Sequence, residues 1–245
     1  MHVTAVIPAK GTSSRLPGKN LLPFPGDGLD GRPGTSLLTH KIAQLLSCER
    51  IDAVVVGSDD PRTLREARLA GAIARERDAA HCDEQNTPLR QRWRDLVSKI
   101  QTDLIVWAHC TNPLCTPELY DLAVDRYLGA AGGGVYDSLA SVTRIQRHAW
   151  VKGTPFNFNP WGAEHAFARD LVPIDFQDGA IFIQPREQML DNGYFYGERP
   201  LLFEIPQPYG WDIDTSHDLH CARKFHAMLD ALDVPIDAVP AGGVA

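Results

Sequence analysis

The sequence predicts an α/β protein with a doubly wound, mostly parallel β-sheet. In the first half, short runs of β-branched and apolar residues alternate with segments whose apolar residues recur at helical spacing. Polar loops follow several of these runs, as expected where ligands bind outside the carboxyl ends of parallel strands. A length of 245 residues suits one such domain. We expect this domain to span residues 1–240 and to be followed by a frayed tail at 241–245.

The composition excludes several classes of protein. There are 31 acidic and 24 basic residues, a formal net charge of −7, whereas nucleic-acid-binding proteins usually carry a basic face. No apolar run approaches the ~20 residues of a membrane span, and the N-terminus lacks the features of a signal peptide. We therefore predict a cytoplasmic protein. The five cysteines form no CxxC pair, so we expect neither a disulfide framework nor a zinc site.

The elements of the first half follow in order. Strands are predicted at residues 3–7, 51–56, 72–77 and 104–108, and helices at residues 35–48, 62–70, 89–100 and 118–128. Thr35 or Ser36 is suited to cap the first helix, Gly71 to close the second and Pro117 to open the fourth. The loops that this order brings to one edge of the sheet are residues 9–20, 57–60 and 109–114.

The second half is less regular. Residues 146–177 are rich in aromatic side chains without clear periodicity, which is typical of a functional or interface segment. On a monomer these side chains would form a large apolar patch, so we expect an insertion at 140–177 to form a homodimer contact. Thr215 and Asp218 resemble a capping box for the last helix. The other predicted elements are strands at 135–145 and 179–183, a strand that ends at 211–214, and a helix at 217–232.

The loop after the first strand carries the first chemical signal. Between Pro8 and Asn20 it combines small residues with three cations, Lys10, Arg15 and Lys19. Backbone N–H groups and hydroxyls of such a loop hold phosphate oxygens and the cations offset their charge, so the loop predicts a polyphosphate site. It has neither the P-loop pattern nor the GxGxxG pattern of dinucleotide-binding proteins. A flexible basic turn is the alternative interpretation.

Two aspartates before the last helix carry the second signal. Asp212 and Asp214 are two residues apart, so on a strand both carboxylates face the same side. Together they can hold one Mg²⁺ ion that faces bound phosphates. A solvated strand end that caps the following helix is the alternative.

Two further motifs lie between these signals, Thr-Asn-Pro-Leu at residues 111–114 and Asp-Gly-Ala-Ile-Phe at residues 178–182. With the stretch at 7–20 and Asp-Ile-Asp-Thr at 212–215, they resemble in sequence and order the motifs of the acylneuraminate cytidylyltransferases, which make CMP-sialic acids. The related enzymes that activate Kdo share much of this pattern. The resemblance implies a Rossmann-like nucleotidyltransferase fold.

The resemblance also implies an activity. CMP would pass from CTP to an anionic acceptor, a sialic-acid-like or other 3-deoxy-ulosonic acid, with release of pyrophosphate. Lys10 and Lys19 would stabilise the phosphates, Asp212 and Asp214 would hold Mg²⁺, and the insertion would supply acceptor-binding residues. The predicted nucleotide-binding residues are Lys10, Gly11, Ser14, Arg15, Lys19, Asn20, Arg77 and Thr87. The predicted acceptor-binding residues are His109, Thr111, Asn112, Arg169 and Asp178.

Departures from the family pattern fall on the acceptor side. Ala108-His109-Cys110 stands where a Leu-Gln-Pro is common, Asp178 replaces an Asn, and an Arg usual just before it is absent. We expect His109 to donate a hydrogen bond to the acceptor, Asp178 to favour hydroxyl or amino groups, and the acceptor to differ from N-acetylneuraminic acid. Two alternatives stay open: a cytidylyltransferase for a small phosphonate or phosphate, and a non-catalytic nucleotide-binding protein.

Overall fold

The computed structural model describes residues 1–26, 35–83, 85–162 and 166–232. The strands are β1 (Val3–Pro8), β2 (Ala53–Ser58), β3 (Ile73–Glu76), β4 (Leu104–Ala108), β5 (Ser138–Ile145), β6 (Trp150–Val151), β7 (Thr154–Pro155), β8 (Ile174–Pro185) and β9 (Pro200–Glu204). The helices are α1 (Leu37–Leu46), α2 (Pro61–Leu69), α3 (Leu89–Ser98), α4 (Pro117–Ala131), α5 (Arg186–Asn192) and α6 (Ser216–Leu232). Short 3₁₀ turns lie at Lys19–Leu21, Ala79–Cys82 and Ala168–Asp170.

Seven strands form the central sheet in the order β3-β2-β1-β4-β8-β5-β9, and β6 and β7 form a separate hairpin. Only β8 runs against its neighbours β4 and β5, while the pairs β1–β2, β1–β4, β2–β3 and β5–β9 are parallel. The mostly parallel α/β sheet predicted from the sequence is therefore confirmed.

Helices cover both faces of this sheet, which explains why its central strands are continuous apolar runs. In β1, Ala5 and Ile7 pack in the same buried cluster as residues of α1, α2 and α4. Val6 points the other way and packs with residues of α3 and α5. Among the described residues, no helix is long and apolar enough to span a membrane.

Local signals place the helix starts as predicted. The Ser36 hydroxyl accepts a hydrogen bond from the Thr39 backbone at 3.2 Å and caps α1. Asp218 accepts hydrogen bonds from the backbone N–H and the hydroxyl of Thr215 at 2.7 and 2.8 Å, so the predicted capping box opens α6. Both starts lie at the edge of the sheet where the polar loops gather.

The second half departs from the prediction in three places. Residues 211–214 are an irregular segment rather than the end of a strand, because Pro206, Pro208 and Gly210 interrupt the chain after β9. Two elements, β9 and α5, are present that the sequence did not predict. The predicted aperiodic stretch ends in sheet structure, since Ile174 at the start of β8 pairs with Ile145. The predicted tail at 241–245 lies outside the described residues.

Candidate active site at the carboxyl edge of the sheet

Three cavities follow one another along the carboxyl edge of the parallel strands. The first, of about 150 Å³, is lined by Pro8, Lys10, Arg77, His81, Cys82, Arg92, Trp93 and His109. The second, of about 180 Å³, is lined by Pro8, Lys10, Thr12, Ser13, Ser14, Arg15, Lys19, Asn20, His109, Cys110 and Thr111. The third, of about 420 Å³, is lined by Thr143, Ile145, Phe176, Gln177, Asp178, Gln207, Pro208, Gly210, Trp211, Asp212 and Asp218.

The cavities adjoin one another. Pro8, Lys10 and His109 line both the first and the second cavity. Thr111 lines the second cavity, and its side chain is hydrogen-bonded to Asp212, which lines the third. A ligand with a compact head, a charged middle and a reacting end can therefore extend across all three.

The loop after β1 is fixed by its contacts with neighbouring loops. The Gly11 N–H donates to the Asp59 carboxylate at 2.8 Å, and a Cβ on Gly11 would lie 2.7 Å from the Asp60 Cβ, so a larger residue would displace the loop. The Asn20 side-chain amide donates to the Lys10 carbonyl at 2.9 Å and closes the loop on itself. Ser14, also predicted to bind nucleotide, lines the second cavity.

Two cations of this loop contact Asp214, the second of the two aspartates, which lies almost 200 residues later in the chain. Arg15 Nη1 is 2.6 Å from the Asp214 carboxylate, and Lys19 Nζ is 3.3 Å from it. Lys19 also donates to the Ile213 carbonyl at 2.7 Å. These contacts bring the predicted phosphate loop, which lines the second cavity, next to Asp214, one of the two predicted metal ligands.

Asp212 and Asp214 differ in their surroundings. Burial raises the pKa of Asp212, and the nearby Asp214 charge adds to this, while the hydrogen bond from Thr111 opposes it. Asp214 is about one-third exposed and has two cationic partners. The N–H of Ile213, between them, donates to the Thr111 carbonyl at 2.9 Å and ties the pair to the loop after β4. No group of three or more His, Cys, Asp or Glu side chains arranged to bind a metal occurs in the part of the chain that the structure describes.

His109 occupies a different role from the predicted one. The Trp107 indole N–H donates to His109 Nε2 at 3.2 Å, so the ring proton lies on Nδ1, which donates to the Gly179 carbonyl at 2.8 Å. Burial lowers the pKa of His109 and favours this neutral form. Because both ring nitrogens are engaged, His109 has no N–H left to donate to an acceptor. It lines the first two cavities and joins the end of β4 to β8.

Asn112 and Asp178 also bond chiefly to the protein itself. The fully buried Asn112 amide donates to the carbonyls of Asp178 and Gly210 at 3.1 and 3.3 Å. The Asp178 carboxylate accepts hydrogen bonds from the Ser141 hydroxyl and, at 3.0 Å, from the Ala180 N–H. Burial raises the pKa of Asp178 despite these bonds. Asp178 lines the third cavity, but its oxygens hold β5 and β8 together.

Three other predicted residues lie in distinct places. Arg77 is buried and lines the first cavity. The Thr87 hydroxyl donates to the Ala80 carbonyl at 2.5 Å, on the segment that leads to the first cavity. Arg169 is 79% exposed, lies 3.7 Å from Asp170 and does not line any of the three cavities.

The sequence analysis missed most of the first cavity. His81, Cys82, Arg92 and Trp93 all lie on the segment that follows β3, whose carboxyl end points to this edge of the sheet. Trp93 also packs edge-on against Trp107, with ring centroids 4.3 Å apart. The position of this segment directly after a predicted parallel strand was the signal that could have revealed it.

A mostly parallel α/β sheet with a cationic loop and paired carboxylates at its carboxyl edge defines a protein that acts on nucleotides. Comparison with known proteins then gives the family. The sequence profile of the cytidylyltransferases matches residues 4–187, so the chain belongs to that family and is a CTP-dependent nucleotidyltransferase. Neither the phosphonate-specific nor the non-catalytic alternative is favoured.

Individual relatives agree with this assignment. The chain is 24% identical over 230 residues to the pseudaminic acid cytidylyltransferase of Campylobacter jejuni, covering 91% of this chain and 95% of that one. It is 28% identical over 238 residues to the CMP-N,N'-diacetyllegionaminic acid synthase of Legionella pneumophila, covering 91% and 96%. Among solved structures, CMP:2-keto-3-deoxy-manno-octonic acid synthetase complexed with CTP has a TM-score of 0.67 at 17% identity, covering 93% of this chain and 99% of that one, and shows the same fold.

Proposed function

We propose that this cytidylyltransferase transfers CMP to an acidic sugar of the sialic-acid-like, 3-deoxy-ulosonic class. The observation that carries the proposal is the third cavity, which at about 420 Å³ is more than twice the size of either other cavity and adjoins the second through Thr111 and Asp212. The names of the Campylobacter and Legionella relatives, with acidic sugars as acceptors, support this substrate class.

In the proposed reaction, each of the three cavities binds a different part of the substrates. The base of CTP lies in the first cavity and its triphosphate in the second, where Ser14, Arg15 and Lys19 bind the phosphates. Lys10, which lines both cavities, and Lys19 stabilise the charge that develops on the leaving pyrophosphate. The acceptor lies in the third cavity, next to Asp212.

The reaction is an in-line displacement at the α-phosphorus of CTP. An acceptor hydroxyl oxygen forms the new P–O bond while the bond from the α-phosphorus to the bridging oxygen of the β-phosphate breaks, and the hydroxyl proton passes to solvent water. Pyrophosphate leaves from the second cavity on the side of the cations. The order of the cavities supports this reaction, because the acceptor would approach from the third cavity while pyrophosphate leaves through the second.

The residues present fit a magnesium ion. Mg²⁺ is usually held by one or two carboxylates together with phosphate oxygens. Asp214 contacts Arg15 and Lys19 of the second cavity, and Asp212 is hydrogen-bonded to Thr111 of that cavity, so two carboxylates lie beside it. Burial raises the pKa of Asp212, so this carboxylate is one that a bound cation would hold in its ionised form. The ion would neutralise phosphate charge and polarise the α-phosphoryl group.

An anionic acceptor needs a cationic side chain as its partner. The described lining of the third cavity contains no Lys or Arg. Arg169 lines none of the three cavities, and we assign this role to the Arg169 that a second copy of the chain would supply. Arg169 lies on a segment with exposed aromatic side chains, including Phe156 at 62% and Trp161 at 89%. Covering this apolar surface with a second copy of the chain would make a homodimer.

A turnover assay tests the substrate class. The protein is incubated with CTP, Mg²⁺ and, separately, pseudaminic acid, N,N'-diacetyllegionaminic acid, N-acetylneuraminic acid, Kdo or a small phosphonate, and pyrophosphate release is followed. We expect release with at least one of the acidic sugars and only background release without acceptor. Turnover with the phosphonate alone would contradict the proposal.

Light scattering tests the assembly. At micromolar concentration we expect twice the 27.0 kDa chain mass, and a shift toward monomer in Trp161→Asp. Lys224→Asp, a change on the exposed face of α6, is the matched control and should leave the mass unchanged. A wild-type monomer that turns over normally would show that no partner is needed.

A further inference from the structure

Arg77 is held rigidly at the wall of the first cavity. Its Nη2 donates to two backbone carbonyls, those of His81 at 2.8 Å and Arg92 at 2.7 Å, and its Nε donates to the Asp95 carboxylate at 3.3 Å. Its aliphatic portion passes over Gly57, where an added Cβ would lie 3.1 Å from the Arg77 Cδ. Nη1 is the guanidinium nitrogen that makes no hydrogen bond within the described residues.

Asp95 is the anchor of this arrangement. Its side chain is only 9% exposed and lies within 3.3 Å of Arg77 Nε, within 2.8 Å of Lys99 Nζ and within 3.3 Å of His81 Nδ1. Burial acts to raise the pKa of Asp95, but the hydrogen bond and charge of Lys99 and the hydrogen bond from Arg77 outweigh it and lower the pKa. The carboxylate is thus ionised and fixed, and Asp95 itself does not line the cavity.

We propose that Asp95 is a positioning residue for base selection, which orients Arg77 so that Nη1 donates to N3 and O2 of cytosine in the first cavity. This inference rests on the placement of the CTP base proposed above. Cytosine N3 is a hydrogen-bond acceptor, whereas uracil carries a proton on N3. A fixed donor therefore accepts cytosine and opposes uracil, because two donors would face each other without a partner. A guanidinium free to turn away would lose that discrimination.

The proposal is tested by calorimetric titration of the full chain with CTP and with UTP in the presence of Mg²⁺ and without acceptor. The wild type should bind CTP more tightly than UTP. In Asp95→Asn we expect the Kd for CTP to rise about tenfold, as for one charge-assisted hydrogen bond that loses its geometry, with the Kd for UTP changed much less. The ratio of the two constants is the readout that a general loss of stability would not move.

Asp125→Asn is the matched control, because Asp125 also pairs with an arginine, Arg50 at 2.8 Å, but lines none of the three cavities. It should leave both constants unchanged. If Asp95→Asn does not fold, Asp95→Glu keeps the charge while moving the carboxylate, and an intermediate ratio is expected.

The two possible failures are distinguishable. An unchanged CTP-to-UTP ratio in a folded Asp95 variant overturns the role of Asp95 and leaves the proposed function intact. A wild type that binds CTP no better than UTP overturns the placement of the base together with this inference.

Discussion

The nucleotide side and the acceptor side of this site are opposite in charge. The first and second cavities are lined by five lysine and arginine side chains, Lys10, Arg15, Lys19, Arg77 and Arg92. The third cavity's described lining has three carboxylates, Asp178, Asp212 and Asp218, and no lysine or arginine. Under the proposed placement, the described residues of the first two cavities supply cations for a nucleoside triphosphate. An anionic acceptor needs positive charge from elsewhere.

The sharpest test of this comparison removes one charge at the boundary. Asp214→Asn should lower turnover by about 10²-fold or more, since the phosphates would be poorly neutralised in the transition state. The loss comes through the proposed Mg²⁺ ion, which would be held by one carboxylate fewer. Circular dichroism and the melting temperature should be near those of the wild type. Asp230→Asn, an exposed aspartate of α6 that lines none of the cavities, is the control. Near-normal turnover of folded Asp214→Asn in Mg²⁺ would remove this residue from the metal site.

A second change weakens the nucleotide side alone. Lys19→Met should raise the Kd for CTP by about tenfold or more, because a partly buried cation at the phosphate cavity is lost. The KM for the acceptor should change little. Lys224→Met, on the exposed surface of α6, serves as the control. Equal losses in CTP and acceptor binding would argue against two separable sides.

The converse change acts on the acceptor side. Phe176 is 49% exposed and lines the third cavity, so Phe176→Ala should raise the acceptor KM roughly three- to tenfold through lost apolar contact. The Kd for CTP should stay the same. Leu202→Ala removes an equally exposed apolar side chain of β9 outside the cavities and should have no effect on either constant. A change in CTP binding in Phe176→Ala would break the division between the sides.

The smallest expected effect on ligand binding concerns Lys41, a buried lysine that lines none of the three cavities. Lys41 donates to the Cys115 carbonyl at 3.3 Å and to the Tyr120 hydroxyl at 3.0 Å, and burial lowers its pKa to about 8. In the unfolded chain its pKa is about 10.5, so between these values the unfolded state binds more protons. The free energy of unfolding should therefore rise as the pH increases from about 8 towards 10.

The variant Lys41→Met lacks this dependence on pH. Buried cysteine thiols contribute with the opposite sign, because burial raises their pKa values, but they are present in both proteins. The difference between the two proteins therefore isolates the contribution of Lys41. Chemical denaturation of both proteins at pH 7.5, 8.5 and 9.5 measures the difference, while CTP binding at pH 7.5 should be alike. A constant difference between the two proteins across this range would contradict the prediction.

The sequence predicts the first half of the fold well because β1, β2 and β4 are buried on both faces and leave uninterrupted apolar runs. It does not predict β9, a short strand that begins with Pro200 and is held by pairing with the distant β5. Strand pairing over such separations leaves little trace in local periodicity.

In the site, too, the sequence predicts some features and not others. The contact of Lys19 with Asp214 follows from two recognisable loop motifs at the carboxyl edge of one sheet. The internal roles of His109 and Asp178 depend on where the Gly179 and Ala180 backbone groups point, and Gly179 has a positive φ of 80°. Residue types alone contain no information on such orientations.

The reversed direction of β8 gives this enzyme an exchangeable part. Ala108, the last residue of β4, pairs with Ile181, while β5 and β8 continue past that point to the pair of Ile145 and Ile174. The chain therefore leaves and re-enters the sheet at the same edge, beside the acceptor cavity. No strand pairing of β1, β2, β3 or β4 involves the residues between these two ends, so under the proposed function this segment can change with the acceptor while the site for CTP is kept.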